Sequence, residues 1–143
     1  MVRTIQGEME NKRKHLEMIQ AVISRMAGNL FFLRGWTITL ITGIFAIALS
    51  KDASKGYFLL AYFLLAVFWV LDGFFLSQER RFRSLYDHVR KLDENEIDFS
   101  MNTRNYKSRW RNRWFGAMVS STLLWFYVPL ALAIFIVLRF VNK

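Results

Sequence analysis

The run Arg104-Asn-Tyr-Lys-Ser-Arg-Trp-Arg-Asn-Arg-Trp114 holds the residue types and spacing best suited to chemistry. As a helix it would align Tyr106, Trp110 and Trp114 in one aromatic stripe, with Arg104, Lys107, Arg109, Arg111 and Arg113 around it. One chemistry this suits is binding of an anionic ligand, because bases stack on aromatic rings while guanidinium groups hold phosphates. Arg80, Arg81 and Arg83 could extend such a surface. The other is anchoring at a membrane surface, where tryptophan and tyrosine settle at headgroup depth and arginines meet lipid phosphates. Both can hold at once.

A second constellation is ionic. Arg34 and Asp72 are the only charged residues well inside long apolar stretches. Paired, they would reduce each other's desolvation cost. Unpaired, Asp72 would line a water-filled vestibule and recur as a ring of carboxylates in an oligomer. Gly35, Thr39, Thr42, Gly43, Ala46 and Ser50 form a small, weakly polar stripe, read as helix packing or, with Arg34, Thr39, Gly43 and Asp72 together, as pore or gate.

Enzyme chemistry finds little support. The chain has no cysteine, which excludes disulfides, thiolate metal sites and cysteine nucleophiles. His15 and His88 have no partner at metal-ligand spacing and read as solvated surface residues. No phosphate-binding glycine loop, nucleophile elbow or HExxH occurs, and Ser120 and Ser121 lack a nearby base. No catalytic residue, metal or cofactor is expected.

The elements that must position these residues are membrane helices. Apolar stretches over 30–50, 57–77 and 114–138 are each long enough to cross a hydrocarbon core of about 30 Å. The expected fold is all-α: a three-span integral membrane protein, one domain, with polar helices flanking the spans. Residues 1–29 read as an amphipathic helix. Ile5, Met9, Leu16, Ile19, Ile23, Met26 and Leu30 follow a heptad seam, which serves either to pack on the chain's own second helix or to self-associate. Span two should continue past Ser77 to about Leu92, since Phe82, Leu85, Tyr86, Val89 and Leu92 extend one apolar face. Residues 93–113 form the linker and basic-aromatic segment, 51–56 a tight turn, and Pro129 is expected to kink span three.

Charge sets the orientation. Of 20 lysines and arginines, 16 lie in the N-terminal stretch, the first turn of span one and the connection between spans two and three. Only Lys51, Lys55, Arg139 and Lys143 lie on the other side. The positive-inside bias therefore places the N-terminus and the long connection in the cytosol. A removable signal peptide is not expected. The net charge of +9 makes the cytosolic face attractive to nucleotides, oligonucleotides or acidic lipids.

Two runs carry a resemblance: Glu10-Asn-Lys-Arg-Lys-His-Leu-Glu-Met-Ile-Gln-Ala-Val-Ile-Ser-Arg-Met-Ala-Gly-Asn29 with Leu33-Arg-Gly-Trp36, and Phe68-Trp-Val-Leu-Asp-Gly-Phe74 continuing through Gln78 to Arg90. With the spans they flank, they cover about half the chain. In this texture the chain resembles small bacterial membrane effectors of anti-phage defence, the HalB-type channel effectors of the Hailong system above all. The resemblance implies an oligomeric ion channel of the bacterial inner membrane. It also implies gating by short single-stranded DNA made by a partner nucleotidyltransferase. Bound oligomer would keep the channel closed, and its loss would depolarise the membrane. The resemblance carries no ligand residues over, so Arg80, Arg81, Arg83, Arg104, Lys107, Arg109, Trp110, Arg111, Arg113 and Trp114 are assigned from charge and aromaticity alone. The expected partners are the lipid bilayer, further copies of the chain and an anionic oligonucleotide. A non-conducting scaffold that recruits a cytosolic enzyme through the heptad face is the alternative. A small transporter with Asp72 as coupling carboxylate is a third reading.

Overall fold

A computed structural model describes residues 2–49 and 56–141, and the side chains of 9–49 and 56–140 among them. The described residues are helical throughout their ordered elements, with no strand among them. Helix α1 spans Val2–Ala48, α2 Gly56–Val89, α3 Trp114–Met118 and α4 Ser121–Val141. Three short 3-10 turns, Glu94–Glu96, Arg104–Ser108 and Trp110–Asn112, lie between α2 and α3. Three helices are long and apolar enough to cross a membrane: Met9–Ala48 within α1, α2, and Ser121–Phe140 within α4.

Two boundaries differ from the sequence expectation: α2 ends at Val89 rather than about Leu92, and the third apolar helix starts later than Trp114. The amphipathic N-terminal helix and span one are a single helix of 47 residues, about 70 Å long at 1.5 Å per residue. No proline interrupts it, and isolated glycines such as Gly28 and Gly35 cost only about 1 kcal/mol each in a helix, too little to end it. The third apolar helix does not begin at Trp114. The chain turns at Val119 and Ser120, and α4 starts at Ser121. Serine competes for backbone hydrogen bonds and favours helix ends. Here the Ser120 hydroxyl donates to the Ala117 carbonyl at 2.6 Å, while its own carbonyl accepts from Leu123 and Leu124. Pro129 lies inside α4. The turn expected over 51–56 lies outside the described residues except for Gly56.

Helix α2 lies between the other two long helices. In its apolar half, Phe58, Ala61, Leu65 and Leu76 join Leu30, Ile41 and Ile44 of α1 and Leu123, Tyr127 and Ile134 of α4 in one core. Beyond that half, α1 and α2 continue side by side. Ile19 and Ile23 bury against Leu85 and Val89, closed over by Ile97, with Leu16, Phe82, Tyr86 and Leu92 at the margin. The heptad seam is thus occupied within the chain itself, by the extension of α2 that the apolar pattern to Leu92 anticipates. Met9 remains half exposed, and the side chain of Ile5 lies outside the described set. In contact with water, each fully buried aliphatic side chain of this second core contributes about 1.5–3 kcal/mol. Lys12 Nζ donates to the Leu92 carbonyl at 2.6 Å, a cation where α2 runs out and its carbonyls lose their helical partners.

His15 is not the solvated residue its neighbours suggest. It is fully buried, with neither ring nitrogen hydrogen-bonded, and it meets the Phe99 ring edge-on at 5.5 Å. Phe99 reaches it from the linker with a φ of 52°, a left-handed conformation uncommon for a bulky residue. His88 is exposed, beside the Tyr106 ring at 6.0 Å.

Candidate functional site

The connection from α2 to α4 folds back along α2 and is held there through backbone carbonyls. Arg80 Nη1 donates to the Arg111 carbonyl at 3.0 Å and Arg81 Nε to the Asn112 carbonyl at 3.0 Å. Trp114 Nε1 donates to the Val70 carbonyl at 3.1 Å, and Trp69 Nε1 to that of Met118 at 3.0 Å. Asn112, buried, spans the junction: its amide nitrogen donates to Ser84 Oγ at 3.0 Å and to the Tyr106 carbonyl at 2.9 Å. Two glycines permit this closeness. A Cβ on Gly116 would collide with the Trp110 carbonyl, and one on Gly73 with the Met118 side chain.

The basic-aromatic segment is therefore not an α-helix. Arg109 and Arg113 adopt extended conformations, with ψ of 126° and 148°, and break the run into 3-10 turns. The stripe expected from Tyr106, Trp110 and Trp114 does not form. Carbonyl acceptors on the segment that an α-helix would satisfy internally are taken instead by α2 side chains. Tyr106 packs at the edge of the α1–α2 core, where burial and then nearby Asp98 raise its phenol above the usual range. Trp110 stands 60% exposed, and Trp114 lies on α2.

The refolded segment produces two clefts in place of one surface. The first, about 480 Å3, has Arg80, Arg83, Ser84 and Asp87 on one face of α2 and Arg109, Trp110, Arg111 and Asn112 opposite. Positions 80, 83, 84 and 87 share a face because residues three and four apart are helix neighbours. Burial, and then the like charge of Arg111, hold the Arg80 guanidinium below its usual range. Arg83 is tied to Glu79 at 2.6 Å, and Asp87 to Arg90 at 3.2 Å. The side chains of Arg109 and Arg111 have no ion-pair partner among the described residues. An anion entering this cleft would meet two unpaired guanidinium groups, relieve the Arg80–Arg111 repulsion and find an exposed indole to stack on.

The second cleft, about 540 Å3, lies nearer the apolar half of α2. Arg81, Lys107, Arg113 and Trp114 line it together with Phe74, Ser77, Gln78 and Phe115, and Trp110 forms the wall shared by both clefts. Arg104 lines neither. Its backbone N–H is held by Asn102 Oδ1 at 3.0 Å, and its side chain is exposed.

The ion pair in the apolar half is formed. Arg34 Nε donates to Asp72 Oδ2 at 2.9 Å and Arg34 Nη2 to Oδ1 at 3.5 Å. Asp72 is fully enclosed, while the Arg34 side chain keeps 27% exposure and lies over the Phe126 ring at 5.7 Å. Tyr127, which the sequence did not single out, completes the cluster. Its hydroxyl is buried near Asp72 and Thr37, without a hydrogen bond of good geometry, and its ring stacks on Trp69. Thr37 instead donates to the Leu33 carbonyl at 2.8 Å. Within one copy the acid is enclosed in protein, as a structural pair requires. Thr39 and Gly43 do not join it. Thr39 is exposed and donates to the Gly35 carbonyl at 3.0 Å, and Gly35 and Gly43 look onto open space.

No group of three or more potential metal ligands occurs among the described residues. Asn112, Ser84 and Tyr127 are missed because their roles depend on long-range contacts, and His15 is misread as a surface residue for the same reason. The one available signal was Asn112 itself, a neutral amide set among cations. The chain matches no family model, no curated protein and no solved structure.

Proposed function

We propose that the chain is an oligomeric membrane effector whose ion conduction is gated by an anionic oligonucleotide bound at the first cleft. The observation that carries the reading is the cleft itself: Arg109 and Arg111 of the connection meet Arg80 and Arg83 beside an exposed Trp110, and Arg80 and Arg83 stand on the same uninterrupted helix that holds Asp72 in the apolar half. Guanidinium groups hold phosphates while a base stacks on the indole, without need for sequence readout. Because α2 is continuous between cleft and ion pair, displacement at one end reaches the other. A ligand shifts such an equilibrium only by its different affinity for the two states.

The positive-inside bias orients the cleft toward the cytosol, where short single-stranded DNA from a partner nucleotidyltransferase would be met. Three helices cannot enclose a pore, so conduction requires several copies. The small-residue face of α1, with Gly35, Thr39 and Gly43 uncovered, is the kind of surface on which membrane helices approach closely. On the resemblance to anti-phage effectors, the DNA-bound form is closed and loss of DNA depolarises the bacterial inner membrane. The scaffold alternative is less favoured, because the heptad face it needs is covered by α2.

The test is ion flux from liposomes containing the purified chain, with and without short single-stranded DNA. Flux that DNA suppresses in the parent chain, and fails to suppress in the Arg109→Gln/Arg111→Gln variant, is the expected result. Absence of flux from inserted protein under both conditions would sink the channel reading and favour the scaffold.

A further inference from the structure

The second cleft differs from the first in its lining. Phe74, Trp114 and Phe115 line it together with Arg81, Lys107 and Arg113, and no carboxylate joins them. Lys107 and Arg113 have no ion-pair partner among the described residues, and Arg81 commits Nε to a carbonyl while its terminal nitrogens remain to donate. The cleft also straddles the end of the apolar half of α2. From Phe74 to Arg81 is about 10 Å of helix at 1.5 Å per residue, and in that rise the lining passes from aromatic to cationic. Phe115 is 66% exposed at its edge. Placed where the apolar half of α2 ends, such a lining suits an anion that also carries an apolar chain, and a neutral lipid has no use for three unopposed cations.

We propose that this cleft is a seat for one anionic phospholipid, its phosphate held by Arg81, Lys107 and Arg113 and the start of its acyl chain lying on Phe74 and Phe115. The shared ligand chemistry is a phosphate ester, and the apolar lining at the membrane boundary selects the lipid as its source. Trp114, its Nε1 on the Val70 carbonyl, fixes the connection at that depth. The site rests on the three apolar helices crossing a bilayer, and on neither conduction nor oligonucleotide binding.

Native mass spectrometry of the full chain in a non-ionic detergent tests it, with phosphatidylglycerol, phosphatidylcholine of the same acyl chains, and glycerol 3-phosphate as probes. Phosphatidylglycerol should be retained over phosphatidylcholine. The Lys107→Gln/Arg113→Gln variant should lose retention by about fivefold for each cation removed. The charge-conserving Lys107→Arg/Arg113→Lys variant should keep it, and circular dichroism checks that each variant is helical. Arg109→Gln/Arg111→Gln, in the other cleft, should leave it unchanged. Equal retention of both lipids would overturn the proposal, as would displacement by glycerol 3-phosphate, or equal loss in the Arg109/Arg111 variant. None of these readouts involves ion flux, so failure here is distinct from failure of the channel reading.

Discussion

The two halves of α2 treat charge in opposite ways. In the apolar half, Asp72 is fully enclosed and both its oxygens meet Arg34. Beyond Ser77, Arg83 and Arg90 stand exposed, each beside a carboxylate, while the half-buried Arg80 and Arg81 grip neutral carbonyls and Arg80 faces the like charge of Arg111. The difference follows from what each half has for solvent. Where water and headgroups are excluded, a lone charge is too costly to keep and must be neutralised by a neighbour, so charge there is structural. Where water solvates the groups, like charges can stay unpaired, ready for a ligand to neutralise them. The first half uses its polarity to hold the bundle together. The second leaves it open.

The largest effect should come from breaking the enclosed pair. Arg34→Ala leaves Asp72 buried and uncompensated, and should destabilise the fold by about 3–5 kcal/mol, the range for removing one partner of a buried pair. Thermal unfolding in detergent measures it, and Asp72→Asn in the same background should recover much of the loss. Additivity of the two substitutions would mean that the halves do not differ as described.

A second experiment asks whether the exposed half depends on its refolded connection. Gly116→Ala places a methyl group against the Trp110 carbonyl, and overpacking of this kind costs about 1–3 kcal/mol. Because the strain falls on backbone, both clefts should deform, and oligonucleotide binding should weaken together with stability. Unchanged binding would show that the turn at 110–112 does not shape the site.

Asn112→Ala is expected to cost about 1–3 kcal/mol, since it removes the donor to Ser84 and Tyr106 from a buried junction. The exposed charges should matter least for stability. Arg109→Gln with Arg111→Gln should change unfolding by under about 0.5 kcal/mol. Yet the slope of log affinity for single-stranded DNA against log salt should flatten by about 0.7 for each phosphate that the variant no longer neutralises. A large drop in stability from this pair would place these arginines with Asp72 as structural charges.

Much of this architecture was legible in the residues alone. Three apolar stretches and the extension of α2 follow from local rules, helix periodicity and hydrocarbon thickness, which hold whatever the rest of the chain does. The cost of a lone charge made pairing one of two readings of Arg34 and Asp72, and the packing of α1 on α2 brings the two together. The basic-aromatic segment obeyed no such rule. Tyr106, Trp110 and Trp114 have helical spacing, but Arg80, Arg81 and Trp69 bind carbonyls of the connection, Asn112 binds Ser84, and Gly116 admits the Trp110 carbonyl. Hydrogen bonds between distant parts of the chain therefore outweighed a local preference worth only tenths of a kcal/mol per residue. His15 was misjudged for the same reason, because the ring that covers it, Phe99, lies far along the chain. Composition and period determined the helices and where a lone charge would be costly. Only the tertiary structure decided that one basic stripe becomes two clefts, because that division depends on which backbone carbonyls distant side chains can reach.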